Sequence, residues 1–98
     1  MNIGPVVLIP MEYTVYFLKS KKDEKYYIGC TSKEPLERLE EHNKGMVKST
    51  KHRRPFTLVH VEKFHDKNTA FKHEWYLKHP KGYLDKIQII KEIERRGH

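Results

Sequence analysis

Short β-type runs and longer amphipathic runs follow one another along the chain. Residues 13–18, YTVYFL, are β-branched and aromatic. The polar stretch KSKKDEK comes next, and YYIGCT at 26–31 resumes the strand character, so the pattern predicts a β-hairpin with a basic tip. Ser32 is then placed to cap a helix over 34–44 that tolerates Pro35 in its first turn, with Leu36, Leu39 and Met46 as its apolar stripe and Gly45 near its end. MVKSTKHRRP at 46–55 has no periodic apolar face and reads as an exposed basic loop closed by Pro55. FTLVHVEKF at 56–64 alternates imperfectly, yet its Val, Thr and Phe content favours a third strand over a helix. Asp66 or Asn68 can cap the first of two further helices, over 68–79 and 81–95, separated at HPKG, the second with Leu84, Ile87, Ile90 and Ile93 at three-residue steps.

The expected order is therefore β-β-α-β-α-α. This is an α+β fold with a small three-stranded, mainly antiparallel sheet covered by helices. The uncharged, apolar first residues, MNIGPVVLIP, break at Pro10. Residues 1–11 are set apart as a leader or extension, and 12–95 as one domain.

Charge narrows the function. Twenty Lys and Arg stand against thirteen Asp and Glu, for a net +7 and a pI near 9.5 over 98 residues, which favours a polyanionic partner. The single cysteine, Cys30, cannot pair internally, and neither a signal-peptide pattern nor a bilayer-spanning apolar run is present. A reducing, cytoplasmic-type compartment is expected on these grounds. The histidines at 52, 60, 65, 73, 79 and 98 lack a zinc spacing, so no structural metal is expected.

A few residues exceed what folding asks of them. At about 100° per residue Glu74 falls about 40° from Ala70, inside the apolar side of its helix. A carboxylate there needs a partner: a cation such as Lys78, a hydrogen bond, or a metal. Arg38 and His42 line one rim of the earlier helix, an i, i+4 pair that repels if both are charged and that an anionic ligand would reconcile. Taken singly, Arg38 could pair with Glu34 or Glu41, and His42 could be structural. Tyr16 and Tyr27 lie mid-strand, where cross-strand packing is their ordinary role, although both hydroxyls can leave the same face.

Together these residues resemble the GIY-YIG nuclease family, in its small single-domain branch, over nearly all of 12–86. Tyr27, Ile28 and Gly29 keep the second half of the family signature. Thr14, Val15 and Tyr16 stand where the first half would have Gly, Ile and Tyr, so the tyrosine survives and the glycine does not. LERLEEHN looks like the family helix, with Arg38 at its catalytic arginine position and His42 one turn later. AFKHEWYLK places Glu74 at the metal-ligand position.

The resemblance implies a divalent-metal-dependent endonuclease hydrolysing DNA phosphodiester bonds, with low sequence specificity or direction from a protein partner. It implies that a tyrosine activates water, Tyr16 favoured over Tyr27, while the other binds phosphate or orients the water. Arg38 would stabilise charge on the phosphoryl oxygens, His42 would bond a tyrosine or the phosphate, and Glu74 would hold one Mg²⁺ or Mn²⁺. Lys19, Lys21, Lys22, Lys48, Lys51, Arg53 and Arg54 could follow the backbone of DNA, branched and single-stranded forms included. Gly29 would leave room for close backbone or phosphate approach. Two rival classes stay open: a nucleic-acid-binding module that keeps the fold without catalysis, and a protein-interaction domain with incidental charge.

Overall fold

The computed structural model describes residue 4 and residues 11–97, so the extension expected over 1–11 lies, apart from Gly4 and Met11, outside the described residues. Three strands, β1 (Tyr13–Ser20), β2 (Tyr26–Thr31) and β3 (Phe56–Phe64), form one sheet in the order β2-β1-β3, with both pairings antiparallel. Helix α1 (Pro35–Asn43) joins β2 towards β3, and α2 (Lys67–Lys78) and α3 (Tyr83–Arg96) come after β3. Short 3₁₀ turns occupy Lys51–Arg53 and Pro80–Gly82. The α+β architecture and the β-β-α-β-α-α order match the expectation from sequence.

Side-chain alternation divides the core in two. Val15, Phe17 and Ile28 pack on one side of the sheet with Ala70 and Leu77 of α2 and Ile93 of α3. Tyr16, Leu18 and Phe56 pack on the other side, with Leu39 of α1 against them. The imperfect alternation of β3 has a physical cause. A bulge opposite Phe17/Leu18 shifts the register so that Leu58 joins the α1 side while its neighbour Val59 and then Phe64 join the α2–α3 side.

Some local expectations need correction. Ser32 does not cap α1. The helix starts from Glu34 without a side-chain cap, and Pro35 at its first turn has no N–H to satisfy. Thr31 instead accepts from the Lys33 N–H at 3.0 Å in the preceding turn. Leu36 and Met46 are exposed, and the side chains that α1 buries are Pro35 and His42. On α3, Leu84 is exposed and the inward residues are Ile89, Ile90 and Ile93. Asp66 does cap α2, accepting from Thr69 N–H at 2.8 Å. Thr14, where the signature has glycine, lies buried in regular pairing with Thr31 and Lys63, so the backbone accommodates it.

Candidate active site

The cross-strand register sets the site. Tyr16 lies opposite Gly29, and Tyr27 opposite Leu18, so both tyrosines leave the α1 side of the hairpin. The Tyr16 ring lies directly over Gly29: a Cβ built there would stand 2.4 Å from the phenol oxygen. Gly29 therefore makes room for the tyrosine itself, not for an approaching phosphate, and the hydroxyl is carried across the ladder to lie over β2.

Helix α1 closes over that hydroxyl. His42, fully buried, holds its Nε2 2.8 Å from the Tyr16 oxygen and its Nδ1 2.8 Å from Thr50 Oγ. The Thr50 hydroxyl donates to the Val47 carbonyl at 3.3 Å, and Arg38 Nε donates to the Tyr16 oxygen at 3.4 Å. Each ring nitrogen of His42 thus faces a hydroxyl oxygen, and the tautomer decides which of them donates. Arg38 also donates to Glu41 at 2.8 Å, and Glu41 pairs with Lys33. The i, i+4 repulsion expected between Arg38 and His42 does not arise, because the imidazole is neutral.

Burial sets the titration of both groups. It pushes the Tyr16 hydroxyl up to about 12, against the pull of the Arg38 hydrogen bond and with Tyr27 and Glu74 adding to the rise. It holds His42 down at about 4, with the Arg38 charge helping. Both shifts widen the gap against moving the proton from Tyr16 to His42. With protein neighbours alone, the proton rests on Tyr16.

Tyr27 and Glu74 complete the ring of candidate groups at the outer edge of β2. The Tyr27 ring centre stands 5.2 Å from that of His42 and 6.3 Å from that of Tyr16. Glu74 has a mostly covered side chain, 19 % exposed, and pairs with Lys78 at 3.2 Å, as the structural reading of this helix allows. Lys78 in turn lies 5.3 Å from the Tyr27 ring centre. Glu74 makes no hydrogen bond to Tyr16 but is near enough for its charge to raise that hydroxyl. Tyr16, Tyr27, Arg38 and His42 are thus gathered at one point, with Glu74 at their margin.

A model of the GIY-YIG catalytic domain matches residues 12–87 of this chain. The chain belongs to that family. A UPF0213 protein of Listeria monocytogenes is 44% identical over 64 residues, 64% of this chain and 69% of that protein. A UPF0213 protein of Syntrophus aciditrophicus is 37% identical over 84 residues, 84% of this chain and 93% of its own. Among solved structures, the solution NMR structure of a UPF0213 protein from Bacillus halodurans superposes with a TM-score of 0.51 at 33% identity, covering 83% of this chain and 84% of that one. The resemblance read from the signature residues is thereby shown at the level of the family and of the nuclease fold.

The basic side chains of this GIY-YIG domain do not all share one surface. Ser20 Oγ donates to Arg53 O at 2.6 Å, Lys21 N–H to Pro55 O at 2.8 Å and Lys22 Nζ to His52 O at 2.9 Å. These bonds lock the hairpin tip to the 46–55 segment and gather exposed Lys21, Lys22, Lys48, Lys51 and Arg54. Arg53 is occupied by Asp23 at 2.8 Å. Lys19, which alternates with Leu18 and Ser20, leaves the opposite side of the sheet and pairs with Glu24 at 3.3 Å. The expectation of a wholly exposed loop also fails at Thr50, which is completely buried beneath it. Sequence reading passed over Thr50 because a hydroxyl inside a basic run has no periodic signal.

Among the described residues no three His, Cys, Asp or Glu side chains stand together as a ready metal cage. The donor chemistry still fits a hard divalent cation. Glu74 is a mostly covered carboxylate engaged through one oxygen only, and Mg²⁺ is commonly held by one or two carboxylates while water and substrate phosphate supply the rest. No helix of the described residues is long and apolar enough to cross a membrane.

Proposed function

We propose that residues 12–95 act as a divalent-metal-dependent endonuclease domain that hydrolyses DNA phosphodiester bonds, with low sequence specificity or with cleavage directed by a protein partner. The observation that carries this reading is the Tyr16 hydroxyl with both a proton acceptor, His42, and a cation, Arg38, on the same oxygen. Among the described residues the Tyr27 hydroxyl has neither as a hydrogen-bond partner, which supports Tyr16 as the general base and leaves Tyr27 to bind phosphate or orient water.

In the reaction, Arg38 turns its guanidinium donors towards the non-bridging phosphate oxygens, where charge grows as the water oxygen attacks phosphorus. Tyr16 takes a proton from that water as its own passes to His42 Nε2. The P–O bond to the leaving strand breaks, and its oxygen takes a proton from solvent. Glu74 would hold Mg²⁺ or Mn²⁺, and the ion, when bound, supplies Lewis-acid stabilisation of the phosphate charge. Phosphate charge beside the buried imidazole raises its affinity for a proton, and Arg38 favours phenolate, so substrate works against the proton gap described above. Lys21, Lys22, Lys48, Lys51 and Arg54 follow the nucleic-acid backbone, giving salt-sensitive affinity without base choice.

The test is cleavage of single-stranded, duplex and branched DNA with Mg²⁺ or Mn²⁺. Metal-dependent cleavage that is abolished in Glu74→Ala and in Tyr16→Phe is expected. Absence of cleavage on every substrate, or equal cleavage by Glu74→Ala, refutes the enzyme. One observation favours a second reading: Lys78 already neutralises Glu74, as befits a nucleic-acid-binding module that keeps the fold without catalysis. Salt-dependent binding with no metal-dependent cleavage selects it.

A further inference from the structure

We propose that Thr50 is a positioning residue of the site: its hydroxyl fixes His42 in the Nδ1–H tautomer, so that the Nε2 lone pair faces the Tyr16 hydroxyl. The inference rests on the proposed role of Tyr16 and His42 and extends it to a residue that touches neither water nor phosphate.

The Thr50 hydroxyl has two neighbours to choose between, His42 Nδ1 at 2.8 Å and a backbone carbonyl. A threonine side chain has one proton to donate, and the nearest acceptor besides His42 is the Val47 carbonyl, 3.3 Å away in the turn that leads into Thr50. The Thr50 and Lys51 backbone N–H groups bond the same carbonyl at 3.1 and 3.0 Å, so the turn holds the side chain at that oxygen, which the hydroxyl shares with them. With its proton directed there, Thr50 Oγ meets His42 Nδ1 at 2.8 Å as an acceptor, which places the ring proton on Nδ1. The opposite tautomer would aim Nε2–H at a phenol oxygen that already accepts from Arg38, and would leave the Tyr16 proton without an acceptor among the described residues. Buried polar groups left unpaired are costly, so the tautomer is decided by satisfaction of the whole chain of bonds.

Burial keeps the arrangement from being replaced by water. Thr50 and His42 are both 0 % exposed. The imidazole is walled by Tyr16, Tyr27 and Phe56 at ring-centre distances of 5.8, 5.2 and 6.0 Å. The basic 46–55 segment therefore has two jobs. Its lysines face solvent, and its one buried hydroxyl reaches inward to set a proton.

The test has a direct readout that does not depend on cleavage. In ¹⁵N-labelled protein at neutral pH, the two His42 ring nitrogens are expected to show a protonated Nδ1 and an unprotonated Nε2. A wild-type protein with the proton on Nε2 overturns the proposal with no variant needed. Thr50→Val should shift His42 towards the Nε2–H form, and Thr50→Ser should restore the wild-type pattern; an unchanged tautomer in folded Thr50→Val overturns it. If Thr50→Val does not fold, the decision falls to the wild-type spectrum and to Thr50→Ser, which must keep the Nδ1–H form. In cleavage, Thr50→Val is expected to lower kcat by between about 10-fold and about 10⁴-fold, the worth of a positioned proton acceptor, with KM nearly constant and rescue by Thr50→Ser. A wild-type protein that cleaves nothing refutes the nuclease reading while the nitrogen spectrum still judges Thr50.

Discussion

Replacing Gly29 by alanine tests the most demanding contact in the site. The new methyl would lie 2.4 Å from the Tyr16 oxygen, 2.5 Å from Cζ and 3.0 Å from Cε1. Carbon contacts settle at about 3.5–4.0 Å, so the ring must retreat by about 1 Å. It has little room to do so: Tyr16 is 2 % exposed and flanked by the His42 and Tyr27 rings. A shift of that size cannot preserve the 2.8 Å placement of the hydroxyl against His42. Overpacking costs about 1–3 kcal/mol and the disturbed hydrogen bond about 1 kcal/mol, against a gain of about 0.5–1 kcal/mol from removing a flexible glycine. The net destabilisation is about 1–3 kcal/mol, or about 5–20 °C in Tm for a domain of this size. Urea unfolding followed by circular dichroism measures it in a double-mutant cycle with Tyr16→Ala. The three atoms nearest the new methyl all belong to Tyr16, so the cost should shrink to within about 0.5 kcal/mol once that ring is gone. An equal cost in both backgrounds, or none in the wild type, refutes the account of Gly29.

Other consequences can be measured as readily. His42 keeps a depressed pKa of about 4 when folded, so the unfolded chain takes up its proton first, and stability falls as pH drops from about 6.5 to about 4 before levelling; urea midpoints across that range should slope less steeply in His42→Gln. Arg38→Lys should keep the fold yet cut kcat by at least about 10-fold, because an ammonium cannot serve Tyr16, Glu41 and a phosphate from one planar fork; wild-type rates would refute that role. Asn43 accepts from Phe56 N–H at 2.8 Å and donates to Phe56 O at 3.0 Å, tying α1 to β3, so Asn43→Ala should cost about 1–3 kcal/mol in urea melts. Replacing Lys48, Lys51 and Arg54 together by glutamine should flatten the salt dependence of DNA binding by about 0.7–0.9 in slope for each phosphate no longer neutralised, whereas Lys19→Gln, on the far side of the sheet, should leave it unchanged.

Much of the fold and of the site was legible in the amino-acid sequence. The strands stood out because their residues are β-branched and aromatic, and the β3 range agrees residue for residue with the run read from sequence. The two tyrosines leave one face of the hairpin and meet Arg38 and His42 there, as strand pairing and the helix rim led one to expect. The failures have physical reasons. A helical wheel ranks faces by apolar character, but α1 buries a histidine whose partners, Tyr16 and Thr50, are 26 and 8 residues away in sequence and satisfy it only after folding. Leu36 and Met46 were free to remain outside once that polar network occupied the inner face. The bulge in β3 left only an imperfect alternation as its trace, and the division of the seven basic residues depends on strand parity and on local carboxylates that charge counting ignores.

The central position of β1 has a dynamic consequence. Tyr16 belongs to the strand bonded along both edges, so its amide neighbours exchange with solvent only when the whole sheet opens. Glu74 rides on α2, which takes part in neither ladder, exposes Phe71 and Trp75 outward, and is held to the sheet by Ala70 and Leu77. The two halves of the site are therefore expected to differ in their resistance to local opening. Warming short of the global transition should release the carboxylate arm first and leave Tyr16, His42 and Thr50 still locked in their proton chain.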